Sequence, residues 1–214
     1  MWTPNFSLIE FFISACVLSM AISNARNFKK ARSTGDTKGG KITRMPSGNP
    51  KTMNILNHAM TAILLPFTLY HIIFFGIGEP SWMKLWLDDW LQVPVWLRAV
   101  AGVTLALSGP VTGWILETLG RDYAPIGVRE KPSIVDKGPY AIVRHPLYGF
   151  AVLFSPCVFL ALDNPLLIVH IPWVTVLYLI KVKVYEEPML LDVFGKDYAD
   201  YMKRVRWALI PGVL

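Results

Sequence analysis

The chain has little cysteine and little charge. Its two cysteines, Cys16 and Cys157, both fall inside apolar runs. Thiols placed there say little about redox compartment, and neither has a metal-ligand neighbour, so no metal site is expected. Asp, Glu, Lys and Arg make up only 17% of the 214 residues, against roughly 25% in an ordinary soluble domain. There is no phosphate-binding G-x-x-x-x-G-K-[ST] loop, no G-x-S-x-G turn and no complete G-x-G-x-x-G; GIGEPS at 76–81 has only the first two glycines. A soluble nucleotide-binding domain is thereby excluded. Any cofactor must be held by apolar helices and the loops that join them.

What the chain has in quantity is hydrophobic surface, 53% of residues with a mean hydropathy of +0.41. Bilayer-length helices need about 17–25 apolar residues. Phe6–Ser23, Ile55–Ile77, Ala99–Leu116, Pro146–Leu162 and Asn164–Ile180 approach or meet that length. The pattern predicts an all-α integral membrane protein of about five transmembrane helices. The last two form a tight hairpin around Asp163-Asn164-Pro165, a strong turn sequence. Basic residues Arg26, Lys29, Lys30 and Arg32 follow the first run and none precedes it, which favours an uncleaved anchor with its N-terminus outside.

Residues 25–51 hold eight Lys/Arg against one acid, 79–92 hold one against three, and 118–145 hold five against three. This alternation is the positive-inside pattern and puts both basic loops and the C-terminal tail in the cytosol. It also accounts for most of the net charge of +6. Basic loops beside a membrane point to anionic lipid rather than nucleic acid. Residues 33–50, rich in Gly, Ser, Thr, Lys and Pro, are expected to be a flexible connector. His58 and His71 are assigned to packing, and Glu10 to the outer interface.

Outside the loops, polar side chains concentrate in two places. One is GPYAIVRHPLYGF at 138–150, where Tyr140, Arg144, His145 and Tyr148 lie close together. Pro146 suits the first residue of a helix, whose free N–H groups make a weak anion site. The other is KVKVYEEPMLLDVFGKDYADYMKRVRWALIP at 181–211, an expected cytosolic amphipathic helix with Pro188 at the break from the membrane helix. The hairpin should bring the two together. Successive helical residues point about 100° apart, so Glu186 and Glu187 cannot both face one pocket. At most one is a ligand; the other pairs with Lys183 or is solvated.

The two stretches together resemble the paired motif of the isoprenylcysteine carboxyl methyltransferase family and its relatives, the phospholipid and small-thiol methyltransferases. Gly138, Tyr140, Arg144, His145, Pro146 and Tyr148 match its first half, and Glu186, Glu187, Leu190, Phe194, Gly195, Tyr198 and Tyr201 its second. The resemblance covers roughly residues 95–211, and divides the chain into N-terminal helices (1–94) and a methyltransferase core (95–214). It implies a cytosol-facing S-adenosylmethionine pocket. Ser133, Ile134 and Val135 would touch the cofactor, and Tyr140, His145, Leu147, Tyr148 and Glu186 would line its site. His145, Arg144 and Glu186 would carry the catalytic roles. Lys183 (or Lys181), Glu187 and Arg206 would meet the substrate. The sequence departs from the pattern at Gly149-Phe150, where many members have Gly at the second position, at Pro188, and in the ending VRWALIP.

The implied reaction is direct methyl transfer to a lipidated or lipid-like acceptor at the bilayer, with the C-terminal carboxylate of prenylated cysteine first and a phospholipid amine or small thiol as alternatives. In a eukaryote the expected location is the endoplasmic reticulum. An NADPH-dependent membrane sterol reductase also carries an Arg-His-Pro-x-Tyr stretch, but Leu147, Gly149 and the F-G-x-x-Y-x-x-Y tail argue against it. A non-enzymatic membrane scaffold is the third reading.

Overall fold

A computed structural model describes residues 8–44, 55, 93–125, 127–163 and 167–213. It is mostly helical. The elements in order are α1 (Leu8–Lys38), β1 (Ile42–Arg44), α2 (Val95–Leu119), β2 (Val128–Arg129), α3 (Pro146–Ala161), α4 (Leu167–Ile180), a π-helical stretch (Lys181–Glu186), α5 (Glu187–Phe194) and α6 (Lys196–Arg204). Short 3₁₀ turns, Gly120–Asp122 and Gly138–Ala141, follow α2 and precede α3. The expected segment Ile55–Ile77, with His58 and His71, lies outside the described residues except for Ile55, as do the 79–92 loop and Asn164-Pro165.

Among the described residues one helix, Val95–Asp122 with its 3₁₀ end, is long and apolar enough to cross a membrane. At 16 residues α3 is shorter. Its partner α4 packs against it, with Asp163 at the turn in the left-handed region (φ 51°), which Asp tolerates better than most side chains. Asp163 Oδ1 accepts the Val93 N–H at 2.8 Å, and Arg98 Nε donates to the Ala161 carbonyl at 3.1 Å. These two bonds tie the start of α2 to the turn.

Small residues on α2 let α1 come close. A Cβ on Gly102 would sit 3.6 Å from Cys16 and 3.8 Å from Ile13, and one on Gly113 3.4 Å from Asn27. Asn27 Nδ2 donates to the Gly109 carbonyl at 2.7 Å, and Lys30 meets Glu117 at 2.7 Å. Positions rise together along both helices, so α1 and α2 run parallel. Phe159 and Leu162 of the α3 end join Ile13, Val17 and Leu105 in the core.

The connector expected over 33–50 is corrected by the structure over residues 33–44; the rest lies outside the described residues. Residues 33–38 continue α1 as helix, and β1 pairs antiparallel with β2. The cause is Arg129, 2% exposed. Its Nε donates to the Tyr123 carbonyl (2.6 Å), Nη1 to the Gly40 carbonyl (2.7 Å) and Nη2 to Asp36 (3.0 Å). Gly35 and Gly39 leave the room that the guanidinium and its stem occupy. Composition read this stretch as loose because the cation ordering it lies some 90 residues away.

Gly149 has a steric reason. The tail runs beside the start of α3, with the Arg144 N–H on the Trp207 carbonyl (3.0 Å) and the His145 N–H on that of Ala208 (2.8 Å). A Cβ on Gly149 would overlap the Leu209 carbonyl. Gly149→Ala is expected to destabilise the fold by about 1–3 kcal/mol, the usual range for overpacking, read as a lower unfolding temperature in detergent. Phe150, where a second glycine was expected from the family pattern, instead stacks on Phe154 with ring centroids 3.8 Å apart.

Candidate active site

The site grows from the junction of α4 and α5. Pro188 has no N–H to give to the turn before it, and the helix widens there: the Glu187 N–H reaches back to the Val182 carbonyl, a π-type bond. Glu186 and Glu187 leave this turn in different directions and take opposite sides of one imidazole. His145 Nδ1 is 3.4 Å from Glu186 and Nε2 is 3.7 Å from Glu187. The geometry sends the two carboxylates to different partners. Glu187 is paired with Lys183 at 2.9 Å, whereas Glu186 lines the cavity. Neither is solvated: Glu187 is 4% exposed and the Glu186 side chain 17%.

Arg144 is buried, and its Nε donates to Glu187 at 2.8 Å while Nη1 donates to the carbonyls of Val205 (2.8 Å) and Arg206 (2.6 Å). Its donors therefore go to a buried carboxylate and the tail. The Tyr148 hydroxyl donates to Glu186, and the Tyr148 ring lies between the His145 and Tyr178 rings. Lys181, buried beneath, places Nζ 4.5 Å from the Tyr148 ring centroid and 3.8 Å from Glu186. Tyr201 donates to the Tyr140 carbonyl at 2.7 Å, joining α6 to the 3₁₀ turn ahead of the motif.

These groups open on a cavity of about 730 Å³, in the upper part of the ~300–1,000 Å³ range of small-molecule sites. Its wall includes Ser133, Ile134, Val135, Tyr140, Leu147 and Tyr148. Arg144, His145 and Glu186 also reach it, so ten separate positions of the expected site, counted with Lys181, meet around one space. Lys183, Glu187 and the Arg206 side chain are not on that wall; Glu187 and the Arg206 carbonyl lie behind it, holding Arg144. Several wall residues were not singled out from the sequence. Asp122 accepts from the Ser133 N–H (2.9 Å) and hydroxyl (2.6 Å), which fixes the start of the 133–135 segment. Tyr178 and Met189 were hidden inside apolar periodicity, where no spacing distinguishes a wall residue from a core one.

Charge settles how the network titrates. Burial pushes the His145 pKa down, but hydrogen bonds and charge from Glu186 and Glu187 outweigh it and leave the value above the ordinary 6.5. Burial pushes Glu187 up, and its bonds with His145, Lys183 and Arg144 bring it down to about 2. Glu186 is lowered too, with burial again outweighed by His145, Lys181 and Tyr148. A raised histidine stabilises below its unfolded pKa and loses that contribution as pH rises through its folded one; depressed carboxylates stabilise above their unfolded pKa and lose it toward acid. The unfolding temperature is therefore expected to be highest between about pH 4.5 and 6.5. It should fall on both sides, and His145→Gln should flatten the alkaline limb.

Comparison with known proteins agrees with the motif reading. Residues 96–197 match the Phospholipid methyltransferase family. The protein-S-isoprenylcysteine O-methyltransferase of Dictyostelium discoideum is 27% identical over 165 residues, 74% of this chain and 64% of the relative. The chain thus spans less than two thirds of that relative's length. Protein-S-isoprenylcysteine O-methyltransferase B of Arabidopsis thaliana is 26% identical over 71% of this chain and 73% of its own length. A probable protein-S-isoprenylcysteine O-methyltransferase of Oryza sativa subsp. japonica is 26% identical over 53% of this chain and 62% of its own. By the match over 96–197, these relatives and the paired motif gathered around one cavity, the chain is similar to the isoprenylcysteine carboxyl methyltransferases and their phospholipid methyltransferase kin.

Proposed function

We propose that this chain is an S-adenosylmethionine-dependent membrane methyltransferase whose acceptor is the C-terminal carboxylate of a prenylated cysteine. The observation that carries it is the cavity itself. Its wall combines polar groups, from the ordered 133–135 segment, Tyr140 and the Glu186 carboxylate, with a mostly apolar arm contributed by helices α1, α2 and α3. A cofactor with ammonium and ribose hydroxyl groups needs a carboxylate partner, and Glu186 is a partly buried carboxylate on the wall, so the residues fit. The cofactor supplies an already activated methyl group when bound.

The protein's part is then to align, to exclude water and to set charge. Glu186 and the Ser133–Val135 segment hold the donor. Tyr148, stacked between His145 and Tyr178, closes the wall beside Glu186. A carboxylate acceptor is ionised at neutral pH and needs no base. Thiol or amine acceptors need a proton removed, yet both glutamates are weak bases here and His145 holds its proton more tightly than free imidazole does. That balance favours a carboxylate, with a phospholipid amine as the second reading from the wider family.

Five membrane crossings, an outside N-terminus and a cytosolic C-terminus complete the proposal, with the endoplasmic reticulum as location in a eukaryote. The parallel packing of α1 and α2 fits a return crossing between them, and the basic loops fit the orientation. Saturable S-adenosylhomocysteine binding to the detergent-solubilised protein, lost in His145→Ala, is the expected result. NADPH binding without S-adenosylhomocysteine binding would overturn the reading in favour of a reductase. Methyl transfer to S-farnesylcysteine against phosphatidylethanolamine then separates the two acceptor classes.

A further inference from the structure

The apolar arm of the cavity carries polar groups that a hydrocarbon chain does not need. On α1, Met20, Asn24 and Phe28 recur every fourth residue on the wall; on α2, Leu105, Ser108 and Thr112 do the same at three and four. Ser108 is 2% exposed. Its Oγ is buried without a hydrogen-bond partner among the described residues, and so is the Oδ1 of Asn24. Packing among the described helices does not account for them. The contact between α1 and α2 is made by Ser23 against Gly109 and by Asn27 on the Gly109 carbonyl, one step round each helix. An oxygen left bare in a membrane-embedded helix is costly and water does not relieve it.

We propose that Asn24 Oδ1 and Ser108 Oγ form a recognition site for a hydrogen-bond donor on the methyl acceptor, the N–H on the carbon next to the carboxylate. This rests on the carboxylate reading above. An amide oxygen only accepts, and a serine hydroxyl can accept as well, so the complementary group is a donor. In a prenylated cysteine the backbone nitrogen is such a donor beside the reacting carboxylate, joined to the chain that the apolar arm accepts. The pair would then select an amino-acid terminus over a simple lipid acid, because a site built for an N–H discriminates strongly against an analogue that lacks it.

The test compares N-acetyl-S-farnesylcysteine with S-farnesyl-3-thiopropionic acid, which keeps the thioether and carboxylate and has no nitrogen. Affinity is measured on the protein loaded with S-adenosylhomocysteine, and kcat/KM on the active enzyme. Wild type is expected to favour the amide by about tenfold in affinity. In Ser108→Ala and Asn24→Leu the ratio should fall below about twofold, with S-adenosylhomocysteine binding reporting that each variant is folded. Equal affinity of wild type for the two compounds overturns the site, as does a ratio that survives both substitutions. If the amide is preferred in binding and neither compound is methylated, the recognition site stands and the carboxylate reaction falls.

Discussion

Arg144→Ala is expected to destabilise the protein by about 3–5 kcal/mol, the usual effect of removing one partner of a buried ion pair. The side chains of Arg144 and Glu187 are 4% and 6% exposed and meet at 2.6 Å. Without the guanidinium, Glu187 keeps Lys183, whose side chain is 49% exposed, and the carbonyls of Val205 and Arg206 lose their donor. The tail that packs on Gly149 would then come free as well. Arg144→Lys should fare little better, since one ammonium cannot reach a carboxylate and two carbonyls in the guanidinium's plane. Chemical denaturation in detergent measures the loss. Arg144→Met with Glu187→Leu should recover at least half of it, because the uncompensated charge goes with its partner. If the double variant is no more stable than Arg144→Ala, the buried charge is not the source of the effect.

Glu186→Gln should act on ligand and leave the fold largely intact. Glu186 faces the cavity and accepts from Tyr148; the amide keeps that bond's geometry but loses the charge. Hydrogen bonds to charged groups contribute about 1.5–3 kcal/mol, so S-adenosylhomocysteine affinity is expected to fall by roughly 10- to 150-fold. Glu187→Gln makes the contrast. That residue lies behind the wall on Arg144 and Lys183, and its change should lower the unfolding temperature more than the affinity. On this expectation the two adjacent carboxylates would separate a binding role from a structural one, and calorimetric titration with thermal unfolding of both variants reads the separation. Equal effects on both measurements would erase it.

The gathering of the motif was legible because its signal is local. Pro146 as a helix start, the turn at Asp163 and the glutamates at the exit of the second leg follow from chain order and short-range chemistry, and they locate His145, Tyr148 and Glu186 around one space. The direction of Arg144 was not legible. Nothing in R-H-P says that the guanidinium turns to carbonyls some 60 residues later. The division between the two glutamates could be framed from helical period, but which one faced the cavity depended on a π turn that no periodicity encodes. The order of residues 35–44 was missed for a similar reason. Glycine-rich composition reads as freedom, whereas here it makes room for the buried side chain of Arg129.

That buried arginine changes how the molecule can be divided. The family match begins at residue 96, and a cut near residue 95 would look like a clean way to isolate a minimal enzyme. Arg129 lies inside the matched stretch, yet two of its three acceptors, Gly40 and Asp36, lie before it. A chain started at 95 would keep the cation and lose the carboxylate that neutralises it and one of its carbonyl acceptors, while Tyr123 and the 133–135 segment depend on the same short loop. The leading helix is therefore a strut of the pocket rather than a removable anchor. Chimaeras that exchange it should carry residues 35–44 and Arg129 as one inheritable unit.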